Sequence, residues 1–263
     1  MNLNLKGLVL FDIDGVIRDV AKSYRLSVQK TVKKFCGWEP TNKTIDELKS
    51  EGFWNNDWDA SLELIKRHIN SHNLDIKLPK KTNLIKEFST FYFGENFSLS
   101  PNEWNGFIKN EKLLVEKEFF QKLTEMGFNW GFVSGAEPPS AKFVLENRLG
   151  LTKPPLIAMG EAPEKPDPSG FIKLASNLLP MPLGKNNVPI AYLGDTVADV
   201  MTVENAREIL PTQKFISIAV APPHLHSVNN SSNRNAYEKK LIAAGANKIL
   251  KSTNDIFEYL ATW

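Results

Sequence analysis

Residues Gly7–Ile13 read GLVLFDI, a nearly continuous apolar run rather than an alternating one. Successive strand side chains point to opposite faces, so such a run needs cover on both faces, as in a parallel sheet between helices. Similar short runs recur at Asn129–Val133, Leu156–Met159, Ile190–Leu193 and Phe215–Val220, with a weaker one at Lys248–Leu250. Between them, Pro138–Leu149, Phe171–Leu179, Val197–Leu210 and Lys239–Ala244 carry apolar residues at helical spacing, the last stopping at Gly245. Strand–helix alternation of this kind predicts an α/β fold with a parallel sheet covered by helices.

One interval breaks the alternation. More than a hundred residues separate the first strand from the one near Asn129, whereas a simple crossover unit needs about 30. The intervening chain reads as mostly helical, at Ser23–Phe35, Ile45–Lys49, Ala60–Ser71 and Leu84–Tyr92, and Leu113–Met126 is a further amphipathic helix leading into the second strand. The expected organisation is a core domain of residues 1–17 and 111–263 with a small helical domain, 18–110, inserted after the first strand. The polar stretch Ser227–Lys240 is expected to be a surface loop feeding the last helix.

Charge narrows the partners. Lys and Arg total 32 against 30 Asp and Glu, a net charge of +2, too balanced to imply nucleic-acid or membrane binding by bulk charge. The single cysteine, Cys36, excludes a disulfide framework and a cysteine-cluster zinc site. The opening apolar run is too short for a signal-peptide core or a membrane span. The expectation is a cytoplasmic protein, monomer or homodimer, with a small-molecule partner, no nucleic acid and no membrane.

In an open parallel sheet, ligands bind at the carboxyl ends of the strands. After the first predicted strand comes Asp12-Ile13-Asp14-Gly15, and after the second Ser134-Gly135. Lys165-Pro166 lies beyond the third, and Gly194-Asp195, with Asp199 four residues on, follows the fourth. Taken singly, these have ordinary readings: turn residues, helix caps, a solvated lysine. Taken in order at successive strand ends, they put carboxylates, a hydroxyl and an ammonium in one small volume.

Phe11-Asp12-Ile13-Asp14-Gly15-Val16 resembles the first motif of the haloacid dehalogenase superfamily, and Ser134, Lys165 and Gly194-Asp195-Thr196-Val197-Ala198-Asp199 resemble its second, third and fourth. The resemblance implies a Rossmann-like core with an α-helical cap inserted after the first motif, as in the superfamily's first subfamily. It also implies a Mg²⁺-dependent phosphatase acting on a small phosphate monoester through an aspartyl-phosphate. Asp12 would be the nucleophile and Asp14 the general acid and then base. Ser134 with the Gly135 backbone N–H would bind phosphoryl oxygens, and Lys165 would neutralise their charge and orient Asp12. Mg²⁺ would be held by Asp12, the Asp14 carbonyl and Asp195, with Asp199 behind them on Lys165 or a metal-bound water. An acid at Asp14 argues for phosphate esters, because halide leaves without a proton.

The segment Lys49–Trp58 falls where the family's specificity loop lies. Lys49, Asn55, Asn56 and Trp58 are candidate substrate contacts, since amides suit hydroxyls and indole faces suit sugar rings, favouring a sugar or other polyol phosphate. The alternative is structural: Asn56 or Asp57 caps the next helix. Two functional alternatives stand beside hydrolysis, a sugar phosphomutase of the β-phosphoglucomutase type and a non-catalytic phosphometabolite-binding protein.

Overall fold

The computed structural model describes residues 5–96, 98, 100–185 and 188–263. The first four residues of the opening segment lie outside these. In chain order the elements are β1 (Gly7–Phe11), β2 (Arg18–Asp19), α1 (Tyr24–Cys36), α2 (Asn42–Lys49), α3 (Asp57–Ser71) and α4 (Lys81–Phe93). β3 (Lys112–Leu113), α5 (Lys117–Glu125), β4 (Phe128–Val133), α6 (Pro138–Lys142, continuing as a π-turn), β5 (Leu156–Ile157) and α7 (Ser169–Leu178) follow. The chain ends with β6 (Ile190–Gly194), α8 (Val197–Ile209), β7 (Phe215–Val220), α9 (Ser231–Ala243), β8 (Lys248–Leu250) and α10 (Ile256–Leu260). Two compact units result, one of residues 1–19 and 113–263 and one of residues 20–112. Among the described residues, no helix is long and apolar enough to cross a membrane.

The first unit holds a six-stranded sheet in the order β5-β4-β1-β6-β7-β8, parallel throughout. The continuous apolar run is explained by its two faces. Val9 and Phe11 pack with Phe119, Phe120, Val144 and Ile256 on one side. Leu8 and Leu10 pack with Phe171, Leu174, Val203 and Ala206 on the other. Phe11 is fully buried and meets Phe119 and Phe120 edge-on, with centroids 5.7 and 5.9 Å away. The chain runs from β1 outward through β4 and β5, then restarts at β6 on β1's other side. That reversal lies between β1 and β6, where doubly wound sheets open a crevice at their carboxyl ends.

The second unit is helical. α1 packs on α3 and α4, with Tyr24 stacked on Tyr92 at 4.0 Å. The buried Glu111 carboxylate accepts hydrogen bonds from Ser23 Oγ (2.8 Å) and Tyr92 OH (2.9 Å), and Arg25 pairs with Asp46 at 2.7 Å.

The polar stretch Ser227–Lys240 is not a loop: most of it forms α9. Only Tyr237 and Leu241 of this helix are buried, so its sequence carries almost no amphipathic signal. Those two pack against Val197, Val200 and Ala219, and an Arg234–Glu238 pair one turn apart (2.7 Å) supports the exposed face. Nor is it the last helix, since α10 follows.

Truncating Phe11 to alanine removes a ring that joins β1 to α5. The expected cost is about 3–5 kcal/mol, measured by urea unfolding; a loss below about 1 kcal/mol would show that the ring is not central to this core.

Candidate active site

Asp12 follows β1, and its backbone N–H donates to the Leu193 carbonyl of β6 at 2.9 Å. The chain then turns sharply, with the Ile13 carbonyl accepting from the N–H groups of Ile17 (2.8 Å) and Arg18 (3.1 Å). Gly15 serves the turn twice. Its φ is +75°, and a Cβ there would stand 2.0 Å from Asp195 Oδ2, so the Asp195 carboxylate lies directly on the Asp14–Gly15 segment. The turn also returns Arg18, fully buried, onto Asp14, with Nε 2.6 Å from Oδ1.

β6 ends at Gly194, Asp195 follows it, and α8 begins with a capping box. Thr196 Oγ1 accepts from the Asp199 N–H at 3.3 Å, while Asp199 Oδ2 accepts from the Thr196 N–H (2.9 Å) and hydroxyl (2.6 Å). This fixes Asp199 with its other oxygen turned to Lys165, whose Nζ donates at 2.5 Å. The same ammonium lies 3.1 Å from Asp12 Oδ1 and donates to Tyr192 OH at 3.1 Å. Tyr192 in turn donates to the Val133 carbonyl at 2.7 Å. Asp12, Lys165, Asp195 and Asp199 are all buried.

Burial opposes every charge in this cluster, and the partners decide the outcome. For Lys165, the carboxylates of Asp12 and Asp199 outweigh desolvation and hold the ammonium well above its usual range. Asp199 is also penalised by burial, but Lys165 and the Thr196 hydrogen bonds hold its carboxyl below the usual range. Asp12 has weaker compensation: burial pushes it up to about 6 despite Lys165, with Asp199 and Asp14 adding to the rise.

The donor set suits a hard divalent cation. Oxygens of Asp12, Asp195 and Asp199 lie within 4.8 Å of one another. Asp12 Oδ1 is buried and has the Lys165 ammonium at 3.1 Å as its ionic partner. Lys165 pairs with two of these carboxylates, Asp12 and Asp199, and Asp195 adds a third acid to the cluster. Asp199 is committed most tightly, to Lys165 and to both donors of Thr196, and carboxylate oxygens of the Asp12 and Asp195 kind suit an oxygen-seeking ion.

Ser134 directly follows β4, the strand beside β1. Its N–H donates to the Ile157 carbonyl (2.9 Å), and its Oγ accepts from the Ala136 N–H (3.2 Å). It therefore does not cap α6, whose N-cap is Glu137. Gly135 follows it, partly exposed.

The remaining candidates lie in the helical unit and are engaged there. Lys49 pairs with Asp57 at 2.7 Å and reaches the Asn55 carbonyl at 3.5 Å. Asn56 is buried and caps α3, its Oδ1 accepting from the N–H groups of Trp58 (3.0 Å) and Asp59 (3.3 Å). Trp58 is half-buried.

Sequence reasoning did not single out Arg18, Tyr192 or Glu137. A cation one turn after Asp14 and a hydroxyl in the otherwise apolar IAYLG strand were the available signals for the first two. Glu137 Oε2 is buried with no hydrogen-bond partner, and burial alone pushes its carboxyl up to about 7. Because its folded pKa exceeds the ordinary carboxylate value, it withdraws stability as pH rises from about 4.5 to about 7. Glu137→Gln should therefore melt above the wild type by a margin that widens between pH 5 and pH 8. A margin independent of pH would show that the carboxyl titrates normally.

Residues 7–207 match the profile of the haloacid dehalogenase-like hydrolases. Over 200 residues, 75% of this chain, the sequence is 28% identical to a Phytophthora nicotianae protein named imidazoleglycerol-phosphate dehydratase. The chain spans 41% of that protein's length. The fold is similar to that of a phosphonoacetaldehyde hydrolase-like protein from Oleispira antarctica (TM-score 0.68, 16% identity, 99% of this chain and 93% of that one). It is also similar to a phosphatase from Thermococcus thioreducens (TM-score 0.59, 22% identity, 88% and 99%). A β-phosphoglucomutase from Clostridium difficile is a third (TM-score 0.58, 18% identity, 98% and 96%). The profile covers most of the chain, including all four strand ends described above, and the chain belongs to the haloacid dehalogenase-like hydrolase family.

Proposed function

We propose that this hydrolase is a Mg²⁺-dependent phosphatase of a small phosphate monoester. The observation that carries the reading is the Asp12 carboxylate. It is buried, with Oδ1 3.1 Å from the Lys165 ammonium and with Asp195 in the same cluster.

In this reading Asp12 attacks phosphorus and the ester oxygen leaves, giving an aspartyl-phosphate and a free alcohol. A phosphate dianion repels a carboxylate nucleophile, so positive charge has to be supplied in place. Lys165 supplies one such charge, held rigidly by Asp199 so that none is spent on reorganisation at the moment of reaction. Ser134 and the Gly135 N–H receive the transferring phosphoryl oxygens. Asp14 gives a proton to the departing alkoxide and takes one from the water that cleaves the intermediate. Asp12, the Asp14 carbonyl and Asp195 would hold Mg²⁺, which when bound offsets the repulsion between nucleophile and phosphate.

Residues 18–110 serve in this proposal as the cap that limits substrates to small molecules and excludes water. A polyol phosphate is the favoured class. Amide and indole groups of the Lys49–Trp58 segment support it, and so does the relative named for imidazoleglycerol phosphate. Action in the cytoplasm, as a monomer or homodimer, belongs to the same reading. A mutase would return the phosphoryl group to a sugar phosphate instead of water.

Phosphate release from an ester panel should require Mg²⁺, stop with EDTA, and fall by roughly a thousandfold or more in Asp12→Asn. Isomer interconversion without phosphate release would favour the mutase, and full activity in EDTA would contradict the metal. Asp14→Asn should lower kcat on alkyl phosphates by about a hundredfold or more. Its first step should be far less affected on p-nitrophenyl phosphate, whose leaving group needs no proton; equal losses in that step for both esters would contradict the acid role.

A further inference from the structure

Glu137 stands out among the acids at this edge of the sheet. Asp14 is paired with Arg18, Asp12 with Lys165, and Asp199 with Lys165 and Thr196. Glu137 has no salt bridge among the described residues, and its Oε2 is buried without a hydrogen-bond partner. A carboxyl in that position costs stability, and a glutamine or methionine would fill the space without the charge.

Its place in the fold is fixed. It is the third residue after Ser134, in the loop at the carboxyl end of β4. That loop is tied down at both ends. Ser134 N–H donates to Ile157 O (2.9 Å), and Met159 N–H donates to Ala136 O (3.0 Å). Three residues span at most about 10 Å, so the Glu137 backbone lies within the length of a small molecule from Ser134.

We propose that Glu137 selects the leaving group, accepting a hydrogen bond from a protonated nitrogen on it. The preferred substrates are then phosphate esters of small alcohols bearing an ammonium or imidazolium group. The inference rests on the phosphatase reading and deepens it. The phosphate end of such a substrate meets Lys165 and Ser134, and the cationic end meets the carboxyl that the protein leaves without a counterion. Burial raises the carboxyl's pKa towards neutrality, and a cation brought beside it by a ligand would lower it again. The same charge disfavours a second phosphate near that loop, as a sugar bisphosphate would bring.

The test compares 2-aminoethyl phosphate and 2-(imidazol-4-yl)ethyl phosphate with propyl phosphate, which lacks the cation. Binding to Asp12→Asn protein in Mg²⁺ is measured by calorimetry, so no turnover is needed. At least about tenfold tighter binding of the two cationic esters is expected, because hydrogen bonds to charged groups are among the stronger ones. The preference should fall to within about twofold in Asp12→Asn/Glu137→Gln and in Asp12→Asn/Glu137→Ala, each shown to be folded by circular dichroism. Equal binding of all three esters, or a preference that survives both Glu137 substitutions, overturns the proposal. Failure of all three to bind overturns it together with the phosphatase reading. A Glu137-dependent preference with no phosphate release by the wild type would contradict the phosphatase reading while leaving the selectivity intact.

Discussion

A buried ammonium is tolerated only where carboxylates surround it closely enough to outweigh lost hydration. Lys165 meets that condition with Asp199 at 2.5 Å and Asp12 at 3.1 Å. The pair is unequal. Asp199 is built into the first turn of α8 and holds the ammonium, whereas Asp12 shares it at longer range. Removing Lys165 would strand two buried carboxylates, Asp12 and Asp199, and removing Asp199 would release the lysine from its position. The arrangement keeps a positive charge beside the Asp12 carboxylate.

That interaction depends on where the sheet puts its strand ends. β1 and β6 are neighbours, and the chain reverses direction across the sheet between them, so Asp12 and Asp195 follow adjacent strands at the switch point where such sheets bind ligands. Two glycines let the backbones close in. Gly15 leaves room for the Asp195 carboxylate, and at Gly194 a Cβ would stand 2.2 Å from Asp199 Cβ. The two apolar faces of the sheet give this polar edge a rigid base. Tyr192 joins the two regions, since its ring packs against Phe171 while its hydroxyl bonds to Lys165.

The parallel sheet was legible because both-face burial leaves continuous apolar runs, and the order of Asp12, Ser134, Lys165 and Asp195 along the chain followed from the strand ends. Partnering was harder to read. Lys165 and Asp199 are 34 residues apart, and Tyr192 is 27 from Lys165; no local pattern encodes such pairs. Helix α9 was missed because only Tyr237 and Leu241 are buried, so tertiary packing outweighs a polar sequence there. Asn56 reads equally well as a cap or a contact from sequence; its hydrogen bonds to Trp58 and Asp59 give it a capping role. Glu137's isolation is a statement about the absence of partners among the described residues, and sequence patterns encode only presence.

The central claim is that Asp12 carries the phosphoryl group. The most direct measurement is an acid-quenched single turnover, with borohydride reduction of any acyl phosphate and peptide mapping by mass spectrometry. The account predicts the reduced residue at position 12, formed only with substrate present. Turnover that leaves Asp12 unmodified at every quench time, or that modifies another carboxylate, would contradict it.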